Sequence, residues 1–324
     1  MHFLQTFAQM KSSSVTSQSS LLATLLLLLT IAACFVRQAF APYAAEFSEC
    51  EFMPRWGEAL LAALLLFATG IVVGRTATKM GAFNGFCTLP ISLYGLIACG
   101  IYLSPRALTV ASASALTALG VMLLLRSLNR FGDKNSVFFA AILFGAAAIV
   151  YAPCAVLIIP LGVAMVLFPL NVRQSIIAVC GWLIPIFTAS YVTWYAGGEF
   201  GSVALRIVDA FASHTEFPLQ PLPILAATIC ALLMVCVIAA ILLFRSNRYS
   251  VLVRVRKAVQ FNEWLFVILL ASTAYIGNVV MMLPVLAIPT AVLAAFAFDK
   301  MTSQAASLLY WLLWACFVAH LFVA

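Results

Sequence analysis

The sequence predicts an all-α, polytopic transmembrane helical bundle of about eleven spans (10–11), with a cytoplasmic N-terminus. Three observations lead to this fold class. Hydrophobic residues make up 65% of the 324 positions, charged residues make up only 8%, and apolar runs of membrane-spanning length recur along the chain. Soluble domains carry roughly a quarter charged residues, so this chain has too few to cover a water-facing surface. We therefore expect one transmembrane domain over residues 1–324.

The apolar runs define the expected spans, since crossing about 30 Å of hydrocarbon takes roughly 20 residues. They cover residues 18–36, 57–74, 82–102, 107–125, 136–152, 154–169, 175–195, 222–244, 262–281, 284–298 and 304–323. The first run resembles a signal peptide, but Pro42 follows its cleavage-like box and many spans come later, so we expect an uncleaved first helix. Proline removes a backbone donor, so helix breaks are expected near Pro153 and Pro284, as two short helices or one long broken one.

The basic residues predict the orientation. With the N-terminus inside, thirteen of the 17 lysines and arginines fall in inside segments. The four outside are Arg37, Arg55, Arg106 and Arg206. Cytoplasmic loops of multi-pass proteins carry an excess of Lys and Arg, so the net charge of +7 indicates membrane topology rather than a nucleic-acid partner. The expected location is the bacterial inner (cytoplasmic) membrane, with membrane lipid as the surrounding partner.

The outer loop 37–56 contains an acidic cluster that could carry chemistry. Its candidate residues are Glu46, Glu49, Glu51, Arg37 and Arg55. One of the three glutamates could act as a general base on a hydroxyl acceptor, and the flanking arginines could bind a phosphate. The alternative is a solvated interfacial segment with an aromatic belt.

The outer loop 196–221 is the second segment of interest. Its middle, residues 203–212, has the pattern of a short amphipathic helix lying along the membrane interface, and it carries Arg206. His214 is the only histidine in an outer loop and could relay protons or help to bind a substrate. One histidine beside Glu216 falls short of a metal ligand set, so neither a metal nor a cofactor is expected.

Other sequence features narrow the function. The basic inner loop 245–261 is expected to anchor on anionic lipid, with a lipid-phosphate or partner site as the alternative. The nine cysteines form no CxxC pair, and most lie in apolar runs, so they are expected to be buried packing residues. The chain has no GxGxxG, Walker A, HExxH or GxSxG motif, which disfavours nucleotide-driven chemistry.

Residues 126–153 read RSLNRFGDKNSVFFAAILFGAAAIVYAP, a basic inner turn with Phe131-Gly132 leading into a small-residue helix that ends at an outer-face proline. This segment resembles a pattern in the polyprenyl-phosphate-sugar-dependent glycosyltransferases of the C superfold. The resemblance implies catalysis by an acidic residue in the first outer loop, here Glu46, Glu49 or Glu51. It also implies a polyprenyl-phosphate-linked sugar as the donor substrate.

The whole chain resembles a Bacteroidota family of polytopic membrane proteins to which no activity is attached. The resemblance lies in the chain length, the paired helices around 136–169 and the Met282-Leu283-Pro284 segment of the penultimate span. Three hypotheses therefore stay open. They are a lipid-linked-sugar glycosyltransferase acting at the outer face, a non-enzymatic subunit with membrane-protein partners in a cell-envelope complex, and a lipid or small-solute transporter. Because no apolar span carries a charge at its centre, the transporter ranks third.

Overall fold

The computed structural model describes residues 20–40, 54–81, 83, 87–100, 107–129, 134–168, 170–212, 224–246, 252–276 and 279–323. These residues form α-helices and one 3₁₀ helix, and no strand occurs among them, which confirms the all-α class for this part of the chain. The α-helices are α1 (Ser20–Phe40), α2 (Arg55–Lys79), α3 (Leu89–Gly100), α4 (Ala107–Asn129), α5 (Lys134–Val150), α6 (Ile158–Leu167), α7 (Val172–Tyr195), α8 (Ser202–Ala212), α9 (Ile224–Ser246), α10 (Val253–Ile276), α11 (Val279–Lys300) and α12 (Ser303–Val323). The 3₁₀ helix Ala152–Leu157 lies between α5 and α6.

Among the residues that the structure describes, six helices are long and apolar enough to cross a membrane, namely α2, α4, α7, α9, α11 and α12. Shorter apolar helical stretches of 10–17 residues lie in α1, α3, α5 and the 3₁₀–α6 pair. Helix α10 is 24 residues long and begins inside the basic segment 245–261, with Arg254, Arg256 and Lys257 in its first turns. Arg and Lys have helix propensities close to that of Leu, so a helix can start in a segment that hydropathy alone assigns to water.

The two prolines that were expected to break helices behave differently. At Pro153 the α-helix gives way to the 3₁₀ helix between α5 and α6, as expected. The expected break at Pro284 is wrong, because Pro284 and Pro289 both lie inside α11. Helix α10 ends at Ile276 and α11 begins at Val279, so the interruption comes before the prolines. Helix α11 is surrounded by other helices, a setting in which proline is tolerated within a transmembrane helix.

Helices α3 and α11 form the centre of the bundle. Every residue from Leu89 to Cys99 in α3 is buried, and so is every residue from Met281 to Phe298 in α11 except the half-buried Leu286. Helix α11 contacts α2, α3, α4, α9 and α10, while α3 also contacts α1, α2 and α12. A helix that is apolar on all sides requires such an enclosed position, or lipid, around it.

Glycines allow the helices around this centre to pack closely. A side-chain carbon at Gly74 of α2 would overlap Ile91 of α3, and one at Gly70 would lie 2.8 Å from the side chain of Leu27 in α1. One at Gly145 of α5 would overlap the backbone carbonyl of Trp182 in α7. Small residues let helix backbones approach in this way. The Gly70–Gly74 pair and Gly145 therefore serve contacts between helices of the same chain.

Candidate functional site

The predicted catalytic and binding residues fall into two groups. Glu46, Glu49, Glu51 and His214 lie outside the residues that the structure describes. Arg37 lies in the last turn of α1, Arg55 is the first residue of α2, and Arg206 lies on α8. The described structure therefore shows the helices on either side of the two segments that were predicted to lie outside the membrane, and it brings neither group of candidates into a complete site.

Helices α1 and α2 hold the acidic segment between them as an antiparallel pair. They pack together, and Leu27 of α1 meets Gly70 of α2. Gly70 also meets Tyr94 and Gly74 meets Ile91, so α2 runs antiparallel to α3. Helix α1 runs parallel to α3, because Thr30 meets Gly95 and Cys34 lies near Cys99, four residues further along both helices. Leu27 precedes the end of α1 by thirteen residues and Gly70 follows the start of α2 by fifteen, about 20 Å along either helix at 1.5 Å per residue. The last turn of α1 and the first turn of α2 consequently lie at the same end of the bundle. Arg37 and Arg55 belong to these two turns.

Glu58 is an acid at this end of the bundle that the sequence did not single out. It lies in the first turn of α2 and its side chain is only 9% exposed. A carboxylate there is favoured by the partial positive charge of the helix N-terminus, to which it is close. The signal that could have identified it was its position at the start of a predicted span, directly after the acidic segment. Glu58 thus joins Glu46, Glu49 and Glu51 as a fourth acid near the α1–α2 connection.

Arg206 lies on the amphipathic helix that was predicted at residues 203–212, and the existence of this helix is confirmed as α8. Gly197, with φ +89°, reverses the chain after α7, a conformation that glycine adopts without steric cost. Helix α8 then packs on α5, the 3₁₀ helix and α7. Val203 is buried in this contact, whereas Arg206 and Asp209 are exposed and three residues apart.

The two arginine-bearing regions sit on different parts of the bundle. Helices α1 and α2 contact each other and α3, and α2 also contacts α4 and α11. Helix α8 instead rests on α5, α7 and the 3₁₀ helix.

Hydroxyl groups form buried contacts around α3. The Tyr310 hydroxyl of α12 donates to Ser92 Oγ at 3.0 Å, and Ser92 Oγ in turn donates to the Leu89 carbonyl at 3.1 Å. On the other side of α3, the hydroxyls of Tyr94 and Ser114 lie 3.3 Å apart. Buried hydroxyls need partners because an unpaired polar group costs free energy in an apolar interior. These contacts therefore tie α3 to α12 and to α4.

A small cavity with a mostly apolar lining lies between α2, α4, α10 and α11. Its lining includes Thr76, Met80 and Asn262, and its volume is about 10 Å³, near the minimum that one water molecule requires. Asn262 is 1% exposed, and its Nδ2 donates to the Ala258 carbonyl at 2.9 Å. Its Oδ1 has no hydrogen-bond partner among the residues that the structure describes. Thr76 already donates to the Val72 carbonyl at 2.6 Å. The cavity therefore presents acceptor oxygens in an otherwise apolar core.

The fold and these features define a class, namely an all-helical protein with several helices of membrane-spanning length. Among the residues described, no group of three or more His, Cys, Asp or Glu side chains could hold a metal ion. The chain matches no protein-family model, no curated protein and no solved structure. Its function must therefore be argued from its own residues.

Proposed function

We propose that this chain is a multi-pass integral protein of the bacterial inner membrane, with about eleven spans and a cytoplasmic N-terminus. Six helices of spanning length and the shorter apolar helices beside them support this proposal. The outer helices also expose large apolar side chains that suit a lipid environment. On α7 these include Val172 at 77%, Ile176 at 59% and Phe187 at 58% exposure.

Contacts between helix ends support the alternating topology. The ring of Phe168, after α6, is tilted against the ring of Phe261 in α10, with centroids 5.6 Å apart. The rings of Phe244 in α9 and Phe296 in α11 meet edge-on, with centroids 6.0 Å apart. The proposed topology assigns all four of these positions to the cytoplasmic half. Gly74, near the end of α2, contacts Ile91, near the start of α3, and the proposed topology assigns both of these helix ends to the cytoplasmic half.

Cysteine labelling tests the orientation. In a variant without native cysteines, Glu49→Cys should react with a membrane-impermeant maleimide added to spheroplasts. Arg254→Cys should react only after the membrane is permeabilised. Labelling of both positions from the same side of the intact membrane would contradict the proposed topology.

The activity that we propose is transfer of a sugar from a polyprenyl-phosphate carrier to an acceptor at the outer face. The supporting observation is the antiparallel packing of α1 and α2, which puts Arg37 and Arg55 at the two ends of one acidic connection. One of the three glutamates would accept the proton of the attacking hydroxyl. The arginines would stabilise negative charge on the departing phosphate, with Arg206 and His214 as further phosphate-binding candidates.

Single substitutions test the activity. Glu46→Gln, Glu49→Gln and Glu51→Gln each keep the size of the side chain and remove its basic carboxylate. General-base catalysis contributes typically 100-fold to 10,000-fold, so one of the three should lose product by about that factor in an assay of lipid-linked sugar. Glu199→Gln, an exposed acid beyond α7, serves as the matched control and should keep full activity. Unchanged product in all three variants would remove the proposal.

A non-enzymatic role in a cell-envelope complex is the second candidate, and one observation favours it. Helix α7 leaves an apolar face open along its whole length, and membrane-protein partners could cover this face as well as lipid could. Phe187→Trp should then weaken assembly with a partner that copurifies in mild detergent, whereas a change on the buried side, Ala178→Ser, should act mainly on stability. A protein that elutes as a solitary monomer, with normal envelope phenotype in Phe187→Trp cells, would exclude this role.

A further inference from the structure

Two cysteines on different helices come together in the packed bundle. Cys34 of α1 and Cys99 of α3 are each 6% exposed, both are free thiols, and their side chains lie within interaction distance of each other. Nothing in the sequence pairs these two cysteines, because 64 residues lie between them and both are in apolar runs. Only the packing of α1 on α3 brings them together.

The helix register explains why these two positions meet. At Gly95 of α3, a side-chain carbon would lie 2.6 Å from Thr30 Oγ1 and 3.5 Å from the Cα of Leu27, so the two backbones approach closely there. Cys99 follows Gly95 by four residues, and Cys34 follows Thr30 by four. Residues four apart lie on the same helix face, about one turn further along. From the first contact to the second, the residue number rises by four in both helices, so α1 and α3 run parallel. The two thiols therefore lie on the helix faces that approach closely.

We propose that Cys34 and Cys99 are a redox-sensitive pair that forms a disulfide linking α1 to α3. The step joins the two sulfurs and breaks two S–H bonds. Both protons and both electrons pass to the disulfide of a dithiol–disulfide oxidant, which becomes two thiols. The inference rests on the proposed function for its compartment, since that topology places the C-terminal ends of α1 and α3 at the outer, oxidising side of the membrane.

The link would act on the acidic connection. Residues 41–54 join α1 to α2, and they lie within the stretch that a Cys34–Cys99 disulfide would close into a loop. Closing this loop restricts the unfolded chain and fixes the end of α1 against the buried helix α3. Oxidation is therefore expected to raise the thermal midpoint of the protein, and addition of a reductant should reverse the rise.

Cross-linking in isolated membranes tests the geometry. Membranes that contain the full chain are treated with copper–phenanthroline, the remaining thiols are blocked with N-ethylmaleimide, and the peptides are identified by mass spectrometry. We expect the peptides of Cys34 and Cys99 to be recovered mostly as one linked, reductant-sensitive species. In Cys99→Ala, Cys34 should be recovered alkylated, and the buried Cys87 should stay unlinked in both proteins. Recovery of Cys34 and Cys99 as separate alkylated peptides after oxidation would overturn the pair.

A second arm tests the compartment. Cells are quenched in acid and alkylated without added oxidant, and a linked Cys34–Cys99 peptide is expected. If the pair links with copper–phenanthroline but is fully alkylated from cells, the disulfide is not formed in the cell and that part of the proposal fails. Labelling at positions 49 and 254 decides the topology separately, so the two failures can be distinguished.

Discussion

At the scale of single residues, the free-energy cost of a buried polar group depends on whether that group has a hydrogen-bond partner. Tyr310, Ser92, Tyr94 and Ser114 have their hydroxyls paired across helix contacts. Asn262 differs, because its buried Oδ1 has no hydrogen-bond partner within the described part of the chain. An unsatisfied buried acceptor costs about 1–3 kcal/mol, so Asn262 is a site where an apolar replacement should be tolerated.

Asn262→Leu should therefore leave the free energy of unfolding unchanged or raise it by about 1 kcal/mol. The leucine removes the unpaired acceptor and fills part of the adjoining cavity, while the Ala258 carbonyl keeps its place in the helix. Thermal unfolding of the purified protein in detergent provides the measurement. Asn262→Ala is the matched control and should be less stable than Asn262→Leu, because it enlarges the cavity. A loss of more than about 2 kcal/mol in Asn262→Leu would mean that a bound molecule pairs with Oδ1.

At the scale of elements, close helix packing depends on positions where a side chain cannot fit. The pair α5–α7 meets at Gly145, against the Trp182 carbonyl, and this neighbour is backbone that cannot rotate away. Gly162 of α6 has open space around it instead. Substitution of each glycine by alanine therefore separates two effects on stability, namely the loss of close helix packing at Gly145 and the gain in helix propensity at Gly162.

Gly145→Ala should destabilise the protein by about 1–3 kcal/mol, the usual cost of overpacking a well-packed contact. Gly162→Ala should be neutral or stabilise by up to about 1 kcal/mol, because alanine has the higher helix propensity. Thermal midpoints of both variants in the same detergent give the comparison. Equal effects of the two substitutions would show that α5 and α7 are not in the close contact described.

Helix α8 offers a second prediction at this scale. Val203 is 3% exposed where α8 packs on the bundle, whereas the neighbouring Ala204 is exposed. Val203→Asp would bury an unpaired carboxylate and should release α8, which increases cleavage by an added protease near Gly197–Gly201. Ala204→Asp keeps the buried face intact and should be cleaved at the rate of the unchanged protein. Similar cleavage of the two variants would contradict the packing of α8.

At the scale of the whole molecule, the central helices α3 and α11 are almost fully buried, whereas α8 is largely exposed. Amides of α3 and α11 should exchange with deuterium most slowly, since opening them disrupts contacts with several helices at once. Amides of α8 should exchange much faster. Mass spectrometry after timed labelling in detergent measures both, and equally slow exchange in α8 and α11 would contradict this arrangement.

Much of the fold could be predicted from hydropathy, and the remainder could not for identifiable reasons. The predicted apolar runs fall close to the observed helices, but six of the described helices, and not eleven, have the length and hydropathy of a membrane span. Helix α8 was predicted from its amphipathic pattern. The start of α10 was missed because arginine and lysine favour helices as well as water. Pro284 was misread because its tolerance depends on neighbours that a linear pattern does not contain. The pairing of Cys34 with Cys99 and the burial of Glu58 likewise arise only from packing, and the roles of Glu46, Glu49 and Glu51 stay predictions.

The central position of α11 has a consequence for biogenesis. The helix that fills the middle of the bundle, α11, follows α3, α4 and α9 in the chain, so a ribosome must deliver those helices before that place can be occupied. Until then, the faces of α3, α4 and α9 that will enclose it have no partner of their own chain. The faces of α3, α4 and α9 therefore stay uncovered in the nascent protein until α11 packs between them.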